Sequence, residues 1–155
     1  MNLCASAKCL AVALVVLNGA AWADDDYYDA SNTDRVAAAS AAFVDVFNQL
    51  DSEGLGEFYA ENGTLKLPNA PAVNGEDDIV EAWQGGFDAG LAGLELVSTF
   101  EAVSNRKVLE NGSYLLTINT PDGPIVQSGT FAVLWRAPRN EDRPPVIIFD
   151  TIDAD

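Results

Sequence analysis

The chain has 155 residues, 24 acidic against 8 basic side chains, a formal net charge of −16 and no histidine. Such a field repels phosphate backbones and anionic lipid, so nucleic acid is a poor partner. Without imidazole, His-dependent triads and ordinary His zinc sites are excluded. The length supports one hydrophobic core but not two.

Residues 1–23 read as a secretory leader. Met1 to Lys8 carries one positive charge, Cys9 to Leu17 is almost wholly apolar, and Ala21-Trp22-Ala23 is a small-x-small cleavage site before Asp24-Asp25-Asp26. The apolar run is shorter than the roughly 20 residues that span a bilayer, so no membrane anchor is expected after cleavage. Cleavage after Ala23 would send the product to the periplasm or outside the cell. It would remove both cysteines, Cys4 and Cys9, leaving a core without disulfides. It would also leave seven basic against 24 acidic residues. Residues 24–30 are expected to be a disordered acidic stretch, and 31–155 a single domain.

Ser31 and Asp34 form a weak relative of the capping box and open a helix. Val36, Ala39, Phe43, Val46, Phe47 and Leu50 recur at helical spacing and give it one apolar stripe. Asp51 suits the N-cap of a short second helix, with Leu55, Phe58 and Tyr59 facing inward. Asn62-Gly63, Asn74-Gly75, Asn111-Gly112 and Asp122-Gly123 are turn dipeptides. The first two bracket a hairpin around Pro68–Pro71. Glu76-Asp77-Asp78 favours the start of a third helix, whose buried side carries Ile79, Val80, Trp83 and Phe87.

From Leu94 the period changes to two. Leu94, Leu96, Ser98 and Phe100 share one strand face, and Glu95, Val97, Thr99 and Glu101 the other. Tyr114 to Thr120, Ile125 to Arg136 and Val146 to Asp153 complete a meander. The whole predicts an α+β fold, with helices on one face of a mostly antiparallel sheet and a pocket between.

No Gly-x-Ser-x-Gly elbow, phosphate-cradling loop or dinucleotide fingerprint is present, and no cofactor or metal is expected. Catalysis would have to use a carboxylate whose pKa is raised by burial. Asp150 is the candidate, because it interrupts the apolar strand Val146 to Ile152. Pairing with Arg136 or Arg106 is the commoner role for such a residue. Phe43, Phe47, Tyr59, Leu67, Trp83 and Tyr114 are the candidate ligand-binding residues, with Tyr59, Trp83 and Tyr114 at the pocket mouth. Core packing is their competing role. Gln127 and Ser98 are polar strand residues that solvent exposure explains equally well.

Several stretches carry a resemblance. Asp51 before a short helix, Tyr59-Ala60, Leu67-Pro68-Asn69-Ala70-Pro71, Asn74-Gly75, Ala82-Trp83-Gln84, Pro121-Asp122-Gly123 and Val133-Leu134-Trp135-Arg136 follow one another in a familiar order. Over about residues 33–153 the chain resembles the SnoaL-like branch of the nuclear transport factor 2-like superfamily. The resemblance implies a cone-shaped barrel, a curved sheet wrapped around three N-terminal helices, and a homodimer through the open sheet face.

In isomerase-like members the proton-abstracting Asp precedes a Pro in the first hairpin, and here Leu67 stands before Pro68. Their oxyanion-binding Tyr and Asp fall at Phe43 and about Gly129. That chemistry is therefore not expected. The expectation is an exported homodimer that binds a small hydrophobic molecule in its cone without the isomerase residues. The alternatives are a carboxylate-dependent isomerase, cyclase or hydrolase, and a noncatalytic assembly module.

Overall fold

A computed structural model of the chain describes residues 30–155, so the expected leader (1–23) and the expected disordered stretch before Ala30 lie outside the described residues. Helix α1 (Ala30–Asn48) opens one residue before Ser31. It buries Val36, Phe43 and Phe47 against the sheet. Leu50 leaves the expected stripe: it has φ 59° and is 46% exposed. Two bonds explain this, Asp51 N–H to Val46 O at 3.4 Å and Leu50 N–H to Phe47 O at 2.8 Å. They form a Schellman motif, which places Leu50 at the left-handed position that ends the helix.

Asp51 then caps α2 (Ser52–Gly56), accepting the Gly54 N–H at 3.0 Å. Tyr59 does not belong to this helix but begins β1 (Tyr59–Lys66). Asn62-Gly63, expected to reverse the chain, lies inside that strand. Tyr59 pairs with Ile147 and Thr64 with Phe149, so the residues between are accommodated as a bulge. Reversal comes later, at Pro68–Ala70, and leads into β2 (Ala72–Asn74). Helix α3 (Glu76–Asp88) carries three acids in its first turn and buries Ile79 and Trp83. It continues through Gly85-Gly86 without a break.

Three strands of 14 residues follow, β3 (Leu91–Ser104), β4 (Lys107–Thr120) and β5 (Gly123–Arg136), then β6 (Val146–Ala154). Asn111-Gly112, expected as a turn, is mid-strand in β4 and paired on both sides. The chain reverses at Asn105-Arg106 instead. Glycine is needed at 112 for closeness and not for turning, because a Cβ there would overlap the Val97 carbonyl of β3.

The sheet has six strands in the order β2-β1-β6-β5-β4-β3. It is antiparallel except where β1 runs parallel to β6. It curves around the helices in the expected α+β cone without closing, since β2 and β3 remain edges.

Candidate functional site

Register fixes which side chains meet inside the cone. Three rows cross β4, β5 and β6 in turn: Val108, Trp135, Ile147; Glu110, Val133, Asp150; and Gly112, Phe131, Ile152. Strict alternation could not place both Ile147 and Asp150 inside, because they are an odd number of residues apart. A register shift at Leu134/Trp135 makes the correction: Trp135 faces Ile147, and Leu134 faces Phe149. Ile148 is therefore one extra residue on β6. This bulge sends Phe149 to the outer face and Asp150 into the cone.

The space enclosed is about 400 Å³. Its walls are Phe43 and Phe47 of α1, Trp83 of α3, the Leu67–Asn69 turn, Leu94 and Leu96 of β3, and inward residues of β4 to β6. Phe43 and Phe47 both meet the Trp83 ring edge-on, at centroid distances of 6.1 and 5.6 Å. Such pairs fix aromatic walls with little rotamer freedom. Tyr114 of β4 also lines the cavity. Its hydroxyl lies over Gly129 of β5, only 2.5 Å from where a Cβ would stand. Any side chain at 129 would push the Tyr114 ring aside.

Two carboxylates face this apolar space. Asp150, 4% exposed, accepts the Tyr59 hydroxyl on Oδ2 at 2.7 Å. Its Oδ1 accepts no hydrogen bond from the described residues. Burial lifts its pKa from 3.8 to about 7, the Tyr59 bond acting against the rise and the charge of Glu110 with it. Burial, and then the Asp150 charge, raise the Tyr59 phenol well above its ordinary value, so Tyr59 stays a neutral donor. The buried Trp83 Nε1 meets no hydrogen-bond acceptor among the described residues.

Glu110 of β4, 1% exposed, is held differently. Oε1 accepts the Ser40 hydroxyl of α1 at 2.6 Å and the Ser98 hydroxyl of β3 at 2.7 Å, while Oε2 accepts Trp135 Nε1 at 2.8 Å. Three donors from three elements suit an ionised carboxylate, which only accepts. Across the row, Glu110 and Asp150 are two strand spacings apart, roughly 10 Å.

Of the residues singled out in sequence, Phe43, Phe47, Leu67, Trp83, Tyr114 and Asp150 all line the cavity. Tyr59 does not stand at the mouth. It is buried behind Asp150 as its hydrogen-bond donor. Asp150 pairs with neither arginine, for Arg136 points to the outer face of β5 and Arg106 lies exposed in the β3–β4 turn. Gln127 lines the cavity, and Ser98 bonds Glu110 instead of solvent. Sequence reasoning missed Glu110, Ser40 and Trp135. The signal for Glu110 was its phase, two residues from buried Val108 and four from Tyr114.

Solved structures decide the fold. An uncharacterised protein with a cystatin-like fold from Caulobacter vibrioides superposes with TM-score 0.69 at 17% identity, covering 81% of this chain and 90% of its own. A ketosteroid isomerase-like protein from Erwinia carotovora atroseptica gives TM-score 0.68 at 16% identity, covering 79% and 95%. The chain has the nuclear transport factor 2-like fold. A nuclear transport factor 2-like protein of unknown function from Shewanella oneidensis matches at TM-score 0.62 and 18% identity, over 78% of this chain and 98% of its own. No protein-family model matches the sequence, and no curated protein does. At these identities the nuclear transport factor 2-like likeness concerns the scaffold and leaves activity to the site. Within that scaffold, Leu67 and Phe43 offer the cavity only hydrocarbon, and Gly129 is covered by Tyr114.

Proposed function

We propose that this protein binds a small, largely apolar organic molecule inside the cone, oriented by one polar group at Asp150. The carrying observation is a cavity of about 400 Å³ with aromatic and aliphatic walls and a carboxylate oxygen left unpartnered. That is the usual composition of a small-molecule site. Thermal unfolding with a panel of small aromatic and alicyclic compounds tests the reading. A ligand at one hundred times its Kd adds about 2.7 kcal/mol of stability. Leu116→Trp, which fills the cavity from β4, should abolish that gain. Equal stabilisation of both proteins would place binding elsewhere.

A second reading, a carboxylate-dependent isomerase, cyclase or hydrolase, is favoured by the pKa of about 7 at Asp150. A general acid or base works best when its pKa lies near the operating pH. Asp150→Asn would then remove turnover while the chain stays folded. A purely assembling role leaves the open cavity without a use.

Export and pairing complete the proposal. The leader pattern supports a product starting at Asp24, which intact mass of the exported chain would check. Val97, Leu115, Val126 and Phe149 are exposed large apolar residues on the outer sheet face and would support a homodimer there. Sedimentation of the mature chain tests that pairing.

A further inference from the structure

The cavity contains a charge imbalance that an apolar ligand alone does not answer. Glu110 and Asp150 both face it, both are more than nine-tenths buried, and no Lys or Arg among the described residues stands in its wall. Buried carboxylates without a counter-charge are costly. The donors to Glu110 are neutral, and Asp150 has only the neutral Tyr59. Among the otherwise mostly aliphatic walls stand the rings of Phe43, Phe47, Trp83 and Tyr114, and aromatic faces attract cations.

We infer that the ligand is an organic cation, a protonated amine on a small aromatic or alicyclic body. Its ammonium N–H would be donated to Asp150 Oδ1, the oxygen that no donor among the described residues reaches. The rings would surround the charge, and Glu110, one row position across β5, would add attraction at longer range. The excess of acidic over basic side chains would draw such a molecule toward the protein. A carboxylate or phosphate ligand is excluded by the same charges. The inference depends on reading the cavity as a ligand site, and the experiment separates the two.

Calorimetric titration of the mature chain near pH 8 with 2-phenylethylamine and with 2-phenylethanol compares one body with and without the positive charge. The amine should bind at least tenfold more tightly than the alcohol. Asp150→Asn should erase that preference, bringing the amine to the level of the alcohol. If the alcohol binds as well as the amine, the cation inference fails while the apolar-ligand reading stands. If the amine binds tightly and Asp150→Asn leaves it unchanged, the ammonium does not sit at Oδ1 and the inference fails. If neither compound binds, both readings fall.

Discussion

Replacing Asp150 by Asn should stabilise the protein, and by an amount that depends on pH in a defined way. Asp150 is protonated more easily in the folded chain, with a pKa of about 7, than in the unfolded one, where 3.8 applies. Between those values the unfolded chain binds fewer protons, so stability falls as pH rises. The window is about three pH units wide, and at roughly 1.4 kcal/mol per unit the wild-type chain loses about 4 kcal/mol across it. The amide cannot ionise, and its oxygen can still accept the Tyr59 hydroxyl. The variant should therefore match wild type near pH 4, then gain progressively, reaching an advantage of about 4 kcal/mol above pH 7. Urea unfolding of both proteins at intervals from pH 4 to 8 measures the difference, other titrating groups largely cancelling. A difference that is flat with pH would refute the reasoning, and so would one that falls. Confirmation would mean that a large share of an ordinary domain's net stability is given up to keep this carboxyl where it is.

The Tyr59 hydroxyl favours the ionised form of Asp150, so Tyr59→Phe should raise that pKa above about 7; carboxyl NMR titration would show it, and a lowered value would contradict the assigned bond. The same variant should lose about 1–3 kcal/mol near pH 8, where the charge is left without its donor. Leu50 sits at φ 59° with nearly half its surface in water, so Leu50→Gly relieves left-handed strain without emptying the core. A gain of about 1 kcal/mol should appear as a higher urea midpoint at unchanged m-value, and an unchanged midpoint would mean the strain is absent.

Where the sequence carried a strong local period, it could be read. The stripe of α1 as far as Phe47, the Asp51 cap, the acidic start of α3 and the alternation in β3 all follow from side-chain spacing, and each is found. Asn-Gly pairs misled because the dipeptide reports only a tolerance for unusual backbone. At 63 that tolerance serves a bulge, and at 112 it serves close approach of a neighbouring strand. Taking 111–112 for a turn cut β4 short and hid the phase that puts Glu110 inside. The apolar interruption at Asp150 pointed to a carboxylate that the fold buries and turns into the cavity. Its partner was not legible, because Tyr59 lies 91 positions earlier and meets it only through the parallel pairing of β1 with β6.

The extra residue at Ile148 separates the chemistry of the cone from its architecture. Were the same residues to run past β5 without the bulge, everything after Ile148 would slip by one, bringing the Phe149 ring into the cavity and presenting the carboxylate to solvent, whereas deleting Ile148 itself would leave a regular strand with Asp150 still inside. Strand order, helices and outer walls would all survive. A slip of one residue in pairing, with no change in residue type or number, would thus convert an acidic container into a wholly neutral one on that wall. Among chains sharing this scaffold, the register of β6 against β5 beyond the buried Ile147 position should be a better guide to what the cone holds than overall similarity.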